Sequence, residues 1–157
     1  MNLNDLAHQC LANSQRWFPE LHDTPRRAAM HFLVGYVGEF GEMIECLPST
    51  TDRNEEAADC AIYLMDLAAI LGVDLGDVEP FPLQAAQGAV AIGRIANLVK
   101  KWNRSADLLD PGPGEKVGHM LRLLLGDLLA YFNLAGTTIE KQVDRKAAIC
   151  EARWGKS

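Results

Sequence analysis

The chain has no uninterrupted apolar run of the roughly 18 residues that a membrane-spanning helix needs. Its opening segment, MNLNDLAHQC, carries neither a basic start nor an apolar stretch, so no secretory leader is expected. A soluble, cytoplasmic protein without a membrane partner is the expectation. Basic blocks are missing as well: 15 Lys and Arg are scattered against 21 Asp and Glu, for a net charge of −6. Such a surface offers no footprint for a polyanion, which argues against nucleic acid as a partner. Cysteine is sparse; Cys10, Cys46, Cys60 and Cys150 form no C-x-x-C pair and sit mostly among apolar residues, where a free thiol acts as a small hydrophobe. Histidine is scarce too, and neither the E-x-x-H of a di-iron bundle nor a His/Cys zinc spacing accompanies the acids. No stretch alternates apolar and polar residues between hairpin turns, so strands are not expected.

What the chain does have is helical periodicity. At 157 residues and 48% apolar content it suits one domain with a proper core. Leu3, Leu6, Cys10 and Leu11 recur at helical spacing over residues 2–17, with Asn2 or Asn4 as N-cap and Pro19 as the stop. Thr24 followed by Pro25 opens a second helix that runs towards Pro48. A third is expected from Thr51 or Asp52 to Gly72, a fourth from Leu83 to about Arg104, and two more over residues 115–135 and 137–153. Gly and Pro punctuate residues 72–82 and 111–114 between them. The reading is a single all-α domain over residues 1–157, a bundle of five to six helices. GEMIECLP (41–48) is similar to GRIANLVK (93–100), and ADCAIY (58–63) to GDLLAY (126–131), in the same order. The likeness admits either chance or two duplicated hairpins, 24–72 and 83–153. In the second, Arg94, Asn97 and Leu124 stand for Glu42, Glu45 and Glu56, and Asp127 stands for Asp59.

Two acidic couplets carry the chemistry, Glu39-x-x-Glu42 and Glu56-x-x-Asp59. On the second helix, Glu39, Glu42 and Glu45 span roughly 120° opposite Tyr36, Phe40, Met43, Ile44 and Leu47, an arrangement that a solvated face also explains. Yet no Lys or Arg lies three or four residues away to relieve their repulsion, and Gly35 and Gly38 share their side. On the third helix, Glu56 and Asp59 fall on the stripe of Cys60, Tyr63, Leu67 and Ile70, which faces the core. Buried carboxylates need a cation opposite or must protonate. A basic side chain would serve, but an all-oxygen cage suits Mg²⁺ or Mn²⁺ better. His31, two turns before Glu39, reads as a packing residue rather than a ligand.

The phrases GEFGEMIE and EEAADCAIYLMDLA, with thirteen residues between Glu42 and Glu56, resemble the MazG-like all-α nucleoside triphosphate pyrophosphohydrolases. That family carries E-x-x-E, a spacer of a dozen to about two dozen residues, then E-x-x-D. Arg16-Trp-Phe-Pro-Glu20 is similar to the short motif before its first acidic helix, and Lys146 with Arg153-Trp154-Gly155 to its basic tail. The resemblance covers residues 14–75 and is weaker beyond them. It departs at Gly38, where the family often has a further glutamate, leaving less negative charge. It implies hydrolysis of a nucleoside triphosphate to monophosphate and pyrophosphate, with Mg²⁺ held by Glu39, Glu42, Glu56 and Asp59. Glu45 and Glu55 border the cluster as candidates to orient water or act as general base, with surface acids as the alternative. Lys146 and Arg153 are candidates for the triphosphate by resemblance, and Lys100, Lys101 and Arg104 only by clustering. Trp17 and Phe18 would stack on a base or anchor a short helix. Relatives assemble as dimers or tetramers, so a homo-oligomer is expected. A catalytically degenerate module that binds nucleotide or protein is the rival reading.

Overall fold

A computed structural model describes residues 2–46 and 49–155, and among these all regular structure is helical. The helices are α1 Leu3–Trp17, α2 Pro25–Glu45, α3 Thr50–Ile70, α4 Ala85–Arg104, α5 Gly114–Leu134 and α6 Ile139–Trp154, with a short 3-10 turn at Pro19–His22. Side-chain caps set most of the starts. The Asn2 side chain accepts from the Asn4 backbone N–H at 2.9 Å, Thr24 from Arg27 at 3.2 Å and Thr138 from Lys141 at 3.3 Å.

Two boundaries differ from expectation for local reasons. Ser49 rather than Thr51 or Asp52 caps α3, its hydroxyl accepting from the Asp52 N–H, so the helix begins at Thr50. Leu83 stays outside α4 because its N–H is donated to Asp127 Oδ1 at 2.8 Å; the helix starts after Gln84, whose N–H donates to the Gln87 side chain at 3.0 Å. Asp127, the counterpart of Asp59 in the suggested second hairpin, thus serves the scaffold.

The central element is α3. Ala57, Ala58, Cys60, Ala61, Leu64, Met65, Leu67 and Ala68 are each at most 1% exposed, so this helix is covered on nearly every side, and α1, α2, α5 and α6 all touch it. Its many alanines let these neighbours approach closely. Helices α2 and α3 pair as one hairpin and α4 and α5 as a second, while α6 returns to α3 and α1. The apolar stripe expected on α2 is narrower than the sequence implies: Tyr36 and Met43 are buried, but Ile44 is 49% exposed. Leu47 lies outside the described residues. The four cysteines are free thiols, two of them buried, and no helix is long and apolar enough to cross a membrane among the described residues.

Candidate functional site

Where α2 crosses α3, three carboxylates meet. Glu39, Glu56 and Asp59 each place an oxygen within 4.8 Å of the others, and all three are half-buried. The close approach of the helices is made at Gly35: a Cβ there would stand 2.6 Å from ring carbons of Tyr63, so only glycine admits that ring. This accounts for one of the two helix-weakening glycines. Gly38 has nothing within 4 Å of where its Cβ would be. The fourth expected ligand, Glu42, is exposed one turn further along α2 and is not part of the trio, although its charge still acts on Glu39.

Crowding leaves a mark on proton affinity. Burial, a hydrogen bond with Glu56 and the charges of Asp59 and Glu42 push the Glu39 carboxyl up to about 7. Asp59 is raised by burial, against the opposing pull of Lys146. Lys146 comes from α6 and forms an ion pair with Asp59 in which both side chains are largely covered. Burial pulls its ammonium down, but the hydrogen bond and charge of Asp59, with Glu56 behind, outweigh that and hold it raised. A cation opposite the core-facing couplet was expected, and a basic side chain fills that position. Glu55 is tied to Arg145 at 2.8 Å, and Glu45 is exposed at the end of α2.

Beside the trio lies a pocket of about 260 Å³ between α1, α2, α3 and α6. It brings together Trp17, Glu39, Asp59, Lys146 and Arg153 from the sequence candidates, along with Phe18 and His31. Trp17 is held in place by Glu151, which accepts from its indole Nε1 at 2.9 Å and also binds Arg16. Phe18 meets Trp154 edge to face at 5.1 Å between ring centres. His31 packs edge-on against Phe32 and Tyr63; it lines the pocket as a packing residue and is not in the acidic trio. Lys100, Lys101 and Arg104 are exposed on α4 and do not line it. Sequence reasoning passed over Tyr63 and Asp66 as site residues, both of which line the pocket. Asp66 had a readable signal: a lone acid in the apolar run LMDLAAI, seven residues after Asp59 on the same face.

Comparison of the chain with family models, with curated proteins and with solved structures returns no match.

Proposed function

We propose that the chain hydrolyses a nucleoside triphosphate to the monophosphate and pyrophosphate in a Mg²⁺-dependent reaction. The observation that carries this reading is the meeting of Glu39, Glu56 and Asp59 beside a pocket that Glu39 and Asp59 line together with aromatic faces, Lys146 and Arg153. The donor set fits the metal: three carboxylates and no nitrogen or sulfur ligand within the trio make a hard-oxygen site of the kind Mg²⁺ or Mn²⁺ favours. Glu42, one turn along α2, is the candidate for a fourth carboxylate. When bound, such an ion supplies Lewis-acid polarisation of a phosphoryl oxygen and a lowered pKa for water.

The protein's own groups do the rest. Glu39, Glu56 and Asp59 would hold the ion, and Glu39, whose carboxyl is raised to about 7, would give up its proton on binding it. Lys146, released from Asp59, and Arg153 take up phosphate charge, the guanidinium being suited to bidentate contact. Trp17, fixed by Glu151, adds an aromatic wall to the pocket. Glu55 is engaged with Arg145 and Glu45 does not line the pocket, so neither is a strong choice for general base. The dimer or tetramer implied by the resemblance has a candidate face in Val34, Val37 and Ile44, all about half exposed or more on one side of α2.

One observation favours the rival module: Lys146 already neutralises Asp59, so the acids are able to stand without an ion. Pyrophosphate release from a panel of canonical and modified triphosphates with Mg²⁺ separates the two. Glu56→Gln and Asp59→Asn are expected to lower the rate by about 10²-fold or more, and Glu42→Gln reports whether that residue is a ligand. Saturable binding without turnover of any triphosphate selects the module instead.

A further inference from the structure

The buried part of the pocket holds a group that hydrolysis does not use. Asp66 is 1% exposed and lines the pocket, and its Oδ1 is buried without a hydrogen-bond partner. A native core rarely leaves a carboxyl oxygen unpaired, because desolvation then goes uncompensated, and here the side chain that carries it lines a cavity able to bring a ligand atom to it. Position along the helix suggests which part of a nucleotide that is. Asp66 follows Asp59 by seven residues, two turns, so the two share a face of α3 roughly 10 Å apart along its axis. That is about the reach of a nucleoside from the outer edge of its base to its α-phosphorus. Phe32 and Tyr63 also line this pocket and supply ring faces for a flat heterocycle.

We propose that Asp66 is a specificity-determining residue that reads the amino–imino edge of a cytosine or adenine base. The proposal rests on the pocket taking a nucleotide. A carboxyl presents an O–H donor beside a carbonyl acceptor, and the edge formed by an exocyclic amino group next to an unprotonated ring nitrogen is its complement. This edge is more basic than the imide edge of uracil or thymine, so sharing the proton gives a charge-assisted pair. Burial pushes the Asp66 carboxyl well above the usual range, which keeps the donor hydrogen in place. The cationic groups stand at the other end, with Lys146 paired to Asp59, so the polyphosphate is directed there.

The test is binding of dCMP, dAMP, dTMP and dUMP, with and without Mg²⁺, followed by calorimetry in the wild type, Asp66→Leu and Asp66→Asn. One amino-bearing nucleotide is expected to bind at least about tenfold more tightly than dTMP and dUMP, because only the amino–imino edge is basic enough to share the carboxyl proton, while the imide edge makes neutral hydrogen bonds alone. Asp66→Leu removes that preference, and Asp66→Asn, whose amide pairs with either edge and shares no proton, reduces it as well. A wild-type measurement guards against a variant that fails to fold: the base's N,N-dimethylamino analogue, which lacks the amino hydrogens, is expected to bind no better than dTMP. Equal binding of all four nucleotides, no saturable binding of any, or a preference that survives Asp66→Leu overturns the assignment. Monophosphates are not turned over, so this result stands apart from pyrophosphate release; turnover with a flat base preference rejects Asp66 and leaves hydrolysis intact.

Discussion

At Gly35 a single missing methyl group sets the distance between two helices. Gly35→Ala puts a Cβ 2.6 Å from the Tyr63 ring, and overpacking of this kind costs about 1–3 kcal/mol, against at most about 1 kcal/mol regained in helix propensity. A net loss of stability is expected in urea unfolding, with Tyr63 displaced from the pocket. Gly38→Ala meets nothing within 4 Å and is expected to gain about 0.5–1 kcal/mol; equal losses at both positions would contradict this account. Glu39 offers a second test at this scale. Its carboxyl is raised from 4.5 to about 7 in the fold, so the folded state holds the proton more tightly than the unfolded chain does. The resulting contribution is complete below about pH 4.5 and is lost as pH rises through about 7. Chelator-treated protein should therefore unfold at lower denaturant near pH 7.5 than near pH 5 on this group's account, and Glu39→Gln should flatten that slope.

At the scale of elements, α6 matters because it reaches back to α3. Lys146→Ala removes the cation paired with Asp59, leaving a largely buried carboxylate to protonate or stay uncompensated, at a cost of about 1–3 kcal/mol without metal. The same change frees Asp59 for a competing cation. Isothermal titration is expected to find Mg²⁺ bound more tightly by the variant, while KM for triphosphate rises; a weaker affinity for Mg²⁺ would mean that Lys146 supports the ion instead of competing with it.

Helices themselves were legible because their punctuation is local: Thr24 with Pro25, Thr138 before Ile139, and the glycine and proline breaks all act within one turn. Where a partner distant in sequence intervened, legibility stopped. Asp127 claims the Leu83 N–H, and nothing near Leu83 announces it. Ile44 is apolar and therefore expected to be buried, yet it stands 49% exposed on α2. In the site, the couplet spacing sufficed to place Glu39, Glu56 and Asp59 together. That Lys146 from α6 would sit on Asp59, and that Asp66 would face a cavity, depends on how α1 and α6 close over α3.

For the whole molecule, an ion held by the trio would make stability a function of divalent cation. An ion that binds only the folded state at a hundred times its Kd adds about 2.7 kcal/mol, or roughly 5–10 °C in Tm for a chain of this size. Mg²⁺ or Mn²⁺ should produce such a shift in a thermal melt, K⁺ should not, and Glu56→Gln should abolish most of it. No shift with either divalent ion would favour acids permanently satisfied by Lys146. The pocket walls also impose an order of assembly. Arg16 and Trp17 on α1 are joined to Glu151 on α6, the first and last helices of the fold, and such distant pairs form only after a large loop has closed. As the chain leaves the ribosome, the acids of α2 and α3 therefore emerge long before Lys146 can reach them. During that interval the acids of the nascent segment lack the counter-charge that Lys146 gives Asp59 in the finished fold.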